Sequence, residues 1–275
     1  MSNFNTPPEI GLQMCNVSEA KGTAELPNLI VLGVLAGSYI ALAGNLAAIV
    51  TSDISRFLGA GLSRFLSGSV FAMGLILVVL GGGELFTGNV LMVMGLLSKR
   101  ITSAQLLRNW IVVYLANFAG SLVVVGLLTM TGLWKLDNGV IGAKLALTAL
   151  SKVNLTFLEA FSRGVLANWL VCLAVWLAMS SHDVAGKILA IYFPVTAFVA
   201  CGFEHSIANQ FAIPIGLTLS KEPLLQQTLA TVDLTNLTWE SFLLKNLVPV
   251  TLGNIIGGAV FVGLLYWYVY LSPRR

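Results

Sequence analysis

Apolar residues dominate this chain in six stretches, near residues 28–50, 67–97, 110–131, 156–179, 187–219 and 244–271. A helix that crosses a bilayer needs roughly 20 apolar residues. Four of the stretches fit one crossing. The second and fifth are too long for one, and each is interrupted near its middle. Gly81, Gly82 and Gly83 break the second, while Pro194 and Pro214 bracket the break in the fifth. Broken backbone survives at membrane depth only where protein buries it or where it lines a cavity. The pattern therefore predicts six transmembrane helices, with helices 2 and 5 broken and facing each other around a pathway.

The two breaks carry the same residues. Gly82-Gly83-Glu84-Leu85-Phe86-Thr87-Gly88-Asn89 recurs as Gly202-Phe203-Glu204-His205-Ser206-Ile207-Ala208-Asn209, 120 residues on. Downstream, Asn109, Val113, Leu115, Asn117 and Gly120 return as Asn246, Val250, Leu252, Asn254 and Gly257, 137 residues on. Upstream, Gly33-Val34-Leu35-Ala36 returns as Gly164-Val165-Leu166-Ala167, 131 residues on. Each unit holds three spans. Two odd-numbered units in one chain must run in opposite senses, so the repeat is inverted, with a pseudo-two-fold axis in the membrane plane. The expected organisation is a tail over 1–27 and one transmembrane domain over 28–271, with repeats at 28–131 and 156–271. A short end follows at 272–275.

Composition agrees. Only 10% of the 275 residues are charged and 57% are hydrophobic, against about 25% charged in a soluble domain. Mean hydropathy is +0.87. A net charge of +3 argues against a nucleic-acid partner. Met1–Pro27 is polar and does not read as a signal peptide. Lys99, Arg100 and Arg108 on one loop, with Arg274 and Arg275, place both termini in the cytoplasm of a plasma (inner) membrane protein. Lys135, Lys144 and Lys152 then lie outside, where attracting an anion would account for them. Cys15, Cys172 and Cys201 show no metal spacing and no disulfide framework. Cys172 and Cys201 read as small core residues. No metal or cofactor is expected.

Glu84 and Glu204 sit near mid-membrane, where ionisable groups are rare. Because both copies keep the carboxylate, the favoured role is to tie down each broken loop by accepting backbone N–H bonds. Asn89, Asn209, Asn117 and Asn254 read as structural partners of the same kind. His205 breaks the internal symmetry, standing where the first copy has Leu85. An imidazole at the centre of a pathway can donate to an anion or exchange a proton with it. His182, in a polar turn, has no such setting. Thr87 adds a hydroxyl from the other loop, or caps the half-helix after it. Inward half-helix N-termini add positive potential. Leu85, Phe86 and Phe198 are candidates for apolar constrictions. Lys152, just before the fourth span, snorkels to the interface on the plainest reading.

These residues resemble the formate/nitrite transporter family. The two loops carry the likeness. Arg108-Asn109-Trp110, Ala167–Trp176 and Asn246–Asn254 extend it over nearly all the chain after residue 27. The resemblance implies an aquaporin-like fold of six spans, assembled as a homopentamer with one pore per protomer. It implies His205 and Thr87 at the pore centre, and Leu85 and Phe198 in an outer constriction. Phe71, Leu75 and Val171 would form an inner constriction, with Asn168 close by. Lys152 would sit in the outer vestibule, and Glu204 would support the histidine loop. Gly88-Asn89 follow the loop threonine where some formate channels have two small hydroxyl or aliphatic residues. The family gates through the N-terminal region, which is the least similar part here.

The expected activity is bidirectional, proton-coupled passage of formate or a similar small monovalent anion. Nitrite and hydrosulfide are the nearest alternatives, with lactate and acetate behind them. Two other classes compete. An intramembrane hydrolase is suggested by Ser206 beside His205, but adjacent side chains diverge on a helix and no Gly-x-Ser-x-Gly elbow is present. A water or ammonia channel of similar shape fits the outer lysines less well.

Overall fold

A computed structural model of the chain describes residues 4–273, so the Arg274-Arg275 charges lie outside the described residues. Helices follow one another almost without interruption. They are α1 (Pro7–Thr23), α2 (Leu26–Val50), α3 (Ser55–Gly81), α4 (Phe86–Leu97), α5 (Ser103–Thr131) and α6 (Leu136–Val153). Then come α7 (Phe157–Ser180), α8 (Val184–Ala200), α9 (Ser206–Leu219), α10 (Pro223–Thr228) and α11 (Ser241–Tyr270). The all-α expectation holds.

Five of these, α2, α3, α5, α7 and α11, are long and apolar enough to cross a bilayer. The expected span 187–219 instead falls on two shorter apolar helices, α8 and α9. Between them the chain turns through Gly202, whose φ of 76° suits a residue without a side chain. Gly82, with φ 84°, makes the corresponding turn between α3 and α4. Apolar side chains such as Val31, Leu115, Leu127 and Leu244 point outward from the long helices, as a lipid-facing surface requires.

Close helix crossings hold the bundle. α2 packs on α5, α7 on α11, and α3 on α8. At the first crossing a Cβ on Gly37 would overlap the Asn117 carbonyl, and one on Gly120 the Val34 carbonyl. Gly257 meets the Val165 carbonyl at the second crossing in the same way. Small residues let backbones approach this closely without a hydrophobic drive between helices. Gly120→Ala is expected to cost about 1–3 kcal/mol, read as a lower thermal midpoint in detergent.

Two helices lie where loops were expected. α1 occupies the polar tail. A capping box starts it, with the Thr6 backbone N–H donating to Glu9 Oε2 at 2.7 Å. Its buried face, Ile10, Met14 and Cys15, packs on Leu91, Met94, Cys172, Trp176 and Val262. α6 covers the lysine-bearing connection and buries Leu145, Ala146, Ala149 and Val153 at helical spacing. Cys201 corrects another expectation. It is exposed, because it caps the end of α8 at the turn rather than lying within a packed helix. Cys172 is buried, as expected.

Candidate functional site

Each break is held by the same set of bonds. In the first, the Glu84 N–H donates to the Leu32 carbonyl at 3.1 Å. Asn117 reaches in from α5: its Oδ1 accepts the Phe86 N–H at 3.0 Å, and its Nδ2 bonds the Gly33 and Glu84 carbonyls, both at 2.8 Å. In the second, the Glu204 N–H donates to the Arg163 carbonyl at 3.3 Å. Asn254 reaches in from α11: its Oδ1 accepts the Ser206 N–H at 2.8 Å, and its Nδ2 bonds the carbonyls of Gly164 at 2.8 Å and Glu204 at 3.0 Å. Helix ends leave backbone groups without partners. One buried amide at each break satisfies two of them, the Phe86 N–H and Glu84 carbonyl or the Ser206 N–H and Glu204 carbonyl, and ties them to a carbonyl inside a neighbouring helix, Gly33 or Gly164.

The carboxylates are held alike. Glu84 accepts from Asn89 Nδ2 at 2.6 Å and pairs with Lys21 Nζ at 2.6 Å. Glu204 accepts from Asn209 Nδ2 at 2.7 Å and pairs with Lys152 Nζ at 2.9 Å. Asn109 Oδ1 accepts from Asn89 at 2.8 Å, and Asn246 Oδ1 from Asn209 at 2.7 Å. Lys152 therefore forms an ion pair instead of snorkelling. Sequence reasoning missed Lys21. It stands 131 residues before Lys152, the separation already set by Gly33 and Gly164, so carrying that frame back twelve residues would have found it.

His205 and Thr87 meet between the two breaks. Thr87 Oγ1 lies 2.9 Å from His205 Nε2, and both residues are buried. His205 Nδ1 accepts the Ala208 N–H at 3.1 Å, capping α9. A nitrogen that accepts carries no proton, so in neutral imidazole the proton resides on Nε2. Nε2–H then donates to Thr87, and the threonine hydroxyl hydrogen is left to point elsewhere. Asn168 fixes the other side of Thr87, its Nδ2 bonding the Thr87 carbonyl at 3.2 Å and the Asn254 carbonyl at 2.7 Å. Ser206 Oγ is buried with no hydrogen-bond partner among the described residues, His205 included. His182 is elsewhere, with Nε2 facing Asn5 Oδ1 at 2.8 Å.

Two cavities approach this pair. One, of about 210 Å³, is lined by Lys152, Glu204, His205, Phe71 and Phe198, among others. The other, of about 330 Å³, is lined by Lys21, Glu84, Leu75 and Leu85, among others. Phe71 and Phe198 pack edge to face with centroids 5.9 Å apart, and Phe198 stacks on the His205 ring at 5.8 Å. Phe71 and Phe198 thus line one cavity and Leu75 and Leu85 the other, and all four belong to one buried hydrophobic cluster. Val171 and Asn168 line neither cavity. Both are buried in the wall behind them.

The model for the formate/nitrite transporter family matches residues 8–268. The chain belongs to the formate/nitrite transporter family. A probable formate transporter of Methanothermobacter thermautotrophicus is 43% identical over 98% of this chain and 99% of its own length. The formate channel FocA of Escherichia coli (strain K12) is 41% identical over 88% of this chain and 86% of its own. Among solved structures, a pentameric formate channel with formate bound matches with a TM-score of 0.81 at 36% identity. It covers 90% of this chain and 98% of that one. An FNT family ion channel matches with a TM-score of 0.80 at 28% identity, covering 97% and 98%. These relatives are named as channels and transporters, and membership of this family removes the hydrolase reading.

Proposed function

We propose that the protein is a passive, bidirectional channel for formate in the plasma (inner) membrane, with both termini cytoplasmic. The observation that carries this reading is the buried Thr87–His205 contact between two cavities, each with its own Lys–Glu pair. The names of the relatives, one of them a channel with formate bound, support formate ahead of nitrite or hydrosulfide. The same likeness supports a homopentamer with one pore in each protomer.

In this reading six spans form two inverted repeats, and α3–α4 and α8–α9 are the broken second and fifth helices. The domain over 28–271 then gains α1, because α1 stands to α2 as α6 stands to α7.

A bare anion crossing the apolar rings loses its hydration, a cost of many kcal/mol in low dielectric. Protonation lowers that cost. His205 donates through Nε2–H to the anion. A relay passes the proton on when Nε2 gives its hydrogen to a formate oxygen while Nδ1 takes one up from hydronium or water entering the cavity that His205 lines. Nδ1 must first release the Ala208 N–H, at about 0.5–1.5 kcal/mol. That is small beside the desolvation it avoids. Thr87 hydrogen-bonds the passing molecule. In proteoliposomes, formate influx should rise with an inward proton gradient. In His205→Asn, proton-coupled flux should collapse while unassisted anion conduction persists. Unchanged proton-coupled flux in that variant would sink the histidine role, and faster nitrite or hydrosulfide flux would change the substrate.

A further inference from the structure

The three lysines over 135–152 differ in what surrounds them. Lys135 lies over the Trp134 ring, 5.1 Å from its centroid, and lines neither cavity. Lys152 is offset by Glu204 at 2.9 Å. Lys144 lines the His205-side cavity two helical turns from Lys152, and it makes no ion pair among the described residues. Thr148, between them on the same face, commits its hydroxyl to the Lys144 carbonyl at 2.8 Å.

The other cavity has no such charge. The 131-residue frame that matches Lys152 with Lys21 matches Leu145 with Met14, Thr148 with Val17 and Lys144 with Gln13. Met14, Val17 and Lys21 line the second cavity, and Gln13 does not. Counting formal charges with His205 neutral, Lys144, Lys152 and Glu204 leave the first cavity at +1, whereas Lys21 and Glu84 leave the second at zero.

We infer that Lys144 is the anion-capture site of this channel, acting at one mouth only. A paired lysine presents a dipole to an approaching anion, whose field falls quickly. An unpaired one presents a full charge, and low-dielectric walls focus its field. The ligand class is a small monovalent carboxylate or inorganic anion, and the inference rests on the channel reading above. Capture is stronger from the Lys144 mouth than from the Lys21 mouth.

The test is formate influx into proteoliposomes against formate concentration, at low and high ionic strength. Lys144→Gln should raise the half-saturating concentration roughly three- to tenfold at low salt, with the difference shrinking at about 1 M salt. Lys144→Met, which keeps much of the aliphatic stem, should give the same shift. Lys144→Arg and Lys135→Gln should match the unaltered protein. Equal half-saturation for Lys144→Gln and the unaltered protein at low salt would overturn the assignment, and so would a shift that persists undiminished at high salt. Absence of formate flux in the unaltered protein would instead overturn the channel reading on which it rests.

Discussion

Asn254→Leu is expected to leave almost no folded protein. The side chain accepts the Ser206 N–H and donates to the Gly164 and Glu204 carbonyls, and it is fully buried. Leucine has a similar volume but satisfies none of the three. The Ser206 N–H and the Glu204 carbonyl are left without a partner at roughly 1–3 kcal/mol each, a large part of the stability of a typical domain, while the Gly164 carbonyl, inside α7, keeps its helical partner. Asn117→Leu should act alike at the first break, because it orphans the Phe86 N–H and the Glu84 carbonyl. The check is the assembled fraction on size-exclusion chromatography with a thermal midpoint. Wild-type yield and midpoint for Asn254→Leu would show that the loop does not depend on this amide.

Glu204→Gln should be the second most damaging change, and its remedy is specific. The Lys152 side chain is 18% exposed and that of Glu204 5%. Removing the carboxylate leaves an ammonium in a largely dry site. Breaking such a pair typically costs about 3–5 kcal/mol because one buried charge is left uncompensated, a cost that removing the second charge relieves. Lys152→Met/Glu204→Gln should therefore recover much of the stability that Glu204→Gln loses. The thermal midpoints of the two single variants and the double variant form the cycle that tests this. A double variant no better than Glu204→Gln alone would mean that the carboxylate matters through Asn209 and Asn246 rather than through the lysine.

Much of this site was legible because the chain carries its own internal comparison. Glu84 and Glu204 stood out as charges at membrane depth; among the described residues their carboxylates bond the side chains of Asn89 and Lys21, and of Asn209 and Lys152, instead of the backbone N–H groups expected. His205 stood out by breaking the repeat and Thr87 as a hydroxyl on the other loop, and they touch. The losses have physical causes. α1 was hidden by its polarity: a short helix with Glu9, Glu19 and Lys21 on its surface does not look like part of an apolar bundle, although one face is buried. α6 was hidden by its lysines, although its apolar residues keep helical spacing. The grouping of Phe71, Phe198, Leu75 and Leu85 depends on which way each helix rotates about its axis. Hydrophobicity alone does not fix that rotation where helices are apolar on most sides. Cys201 failed for a simpler reason, since an apolar neighbourhood in sequence says nothing about the exposed end of a helix.

The unlike mouths have a consequence for direction. Lys144 answers to Gln13, Thr148 to Val17 and His205 to Leu85, so the pore is chemically different when entered from its two ends. A pore that consumes no energy must still balance at equilibrium: with equal electrochemical potential on both sides, the opposing fluxes are equal whatever lines the walls. The asymmetry can only set how soon each end saturates. Net movement, outward or inward, is left to the gradients the cell maintains.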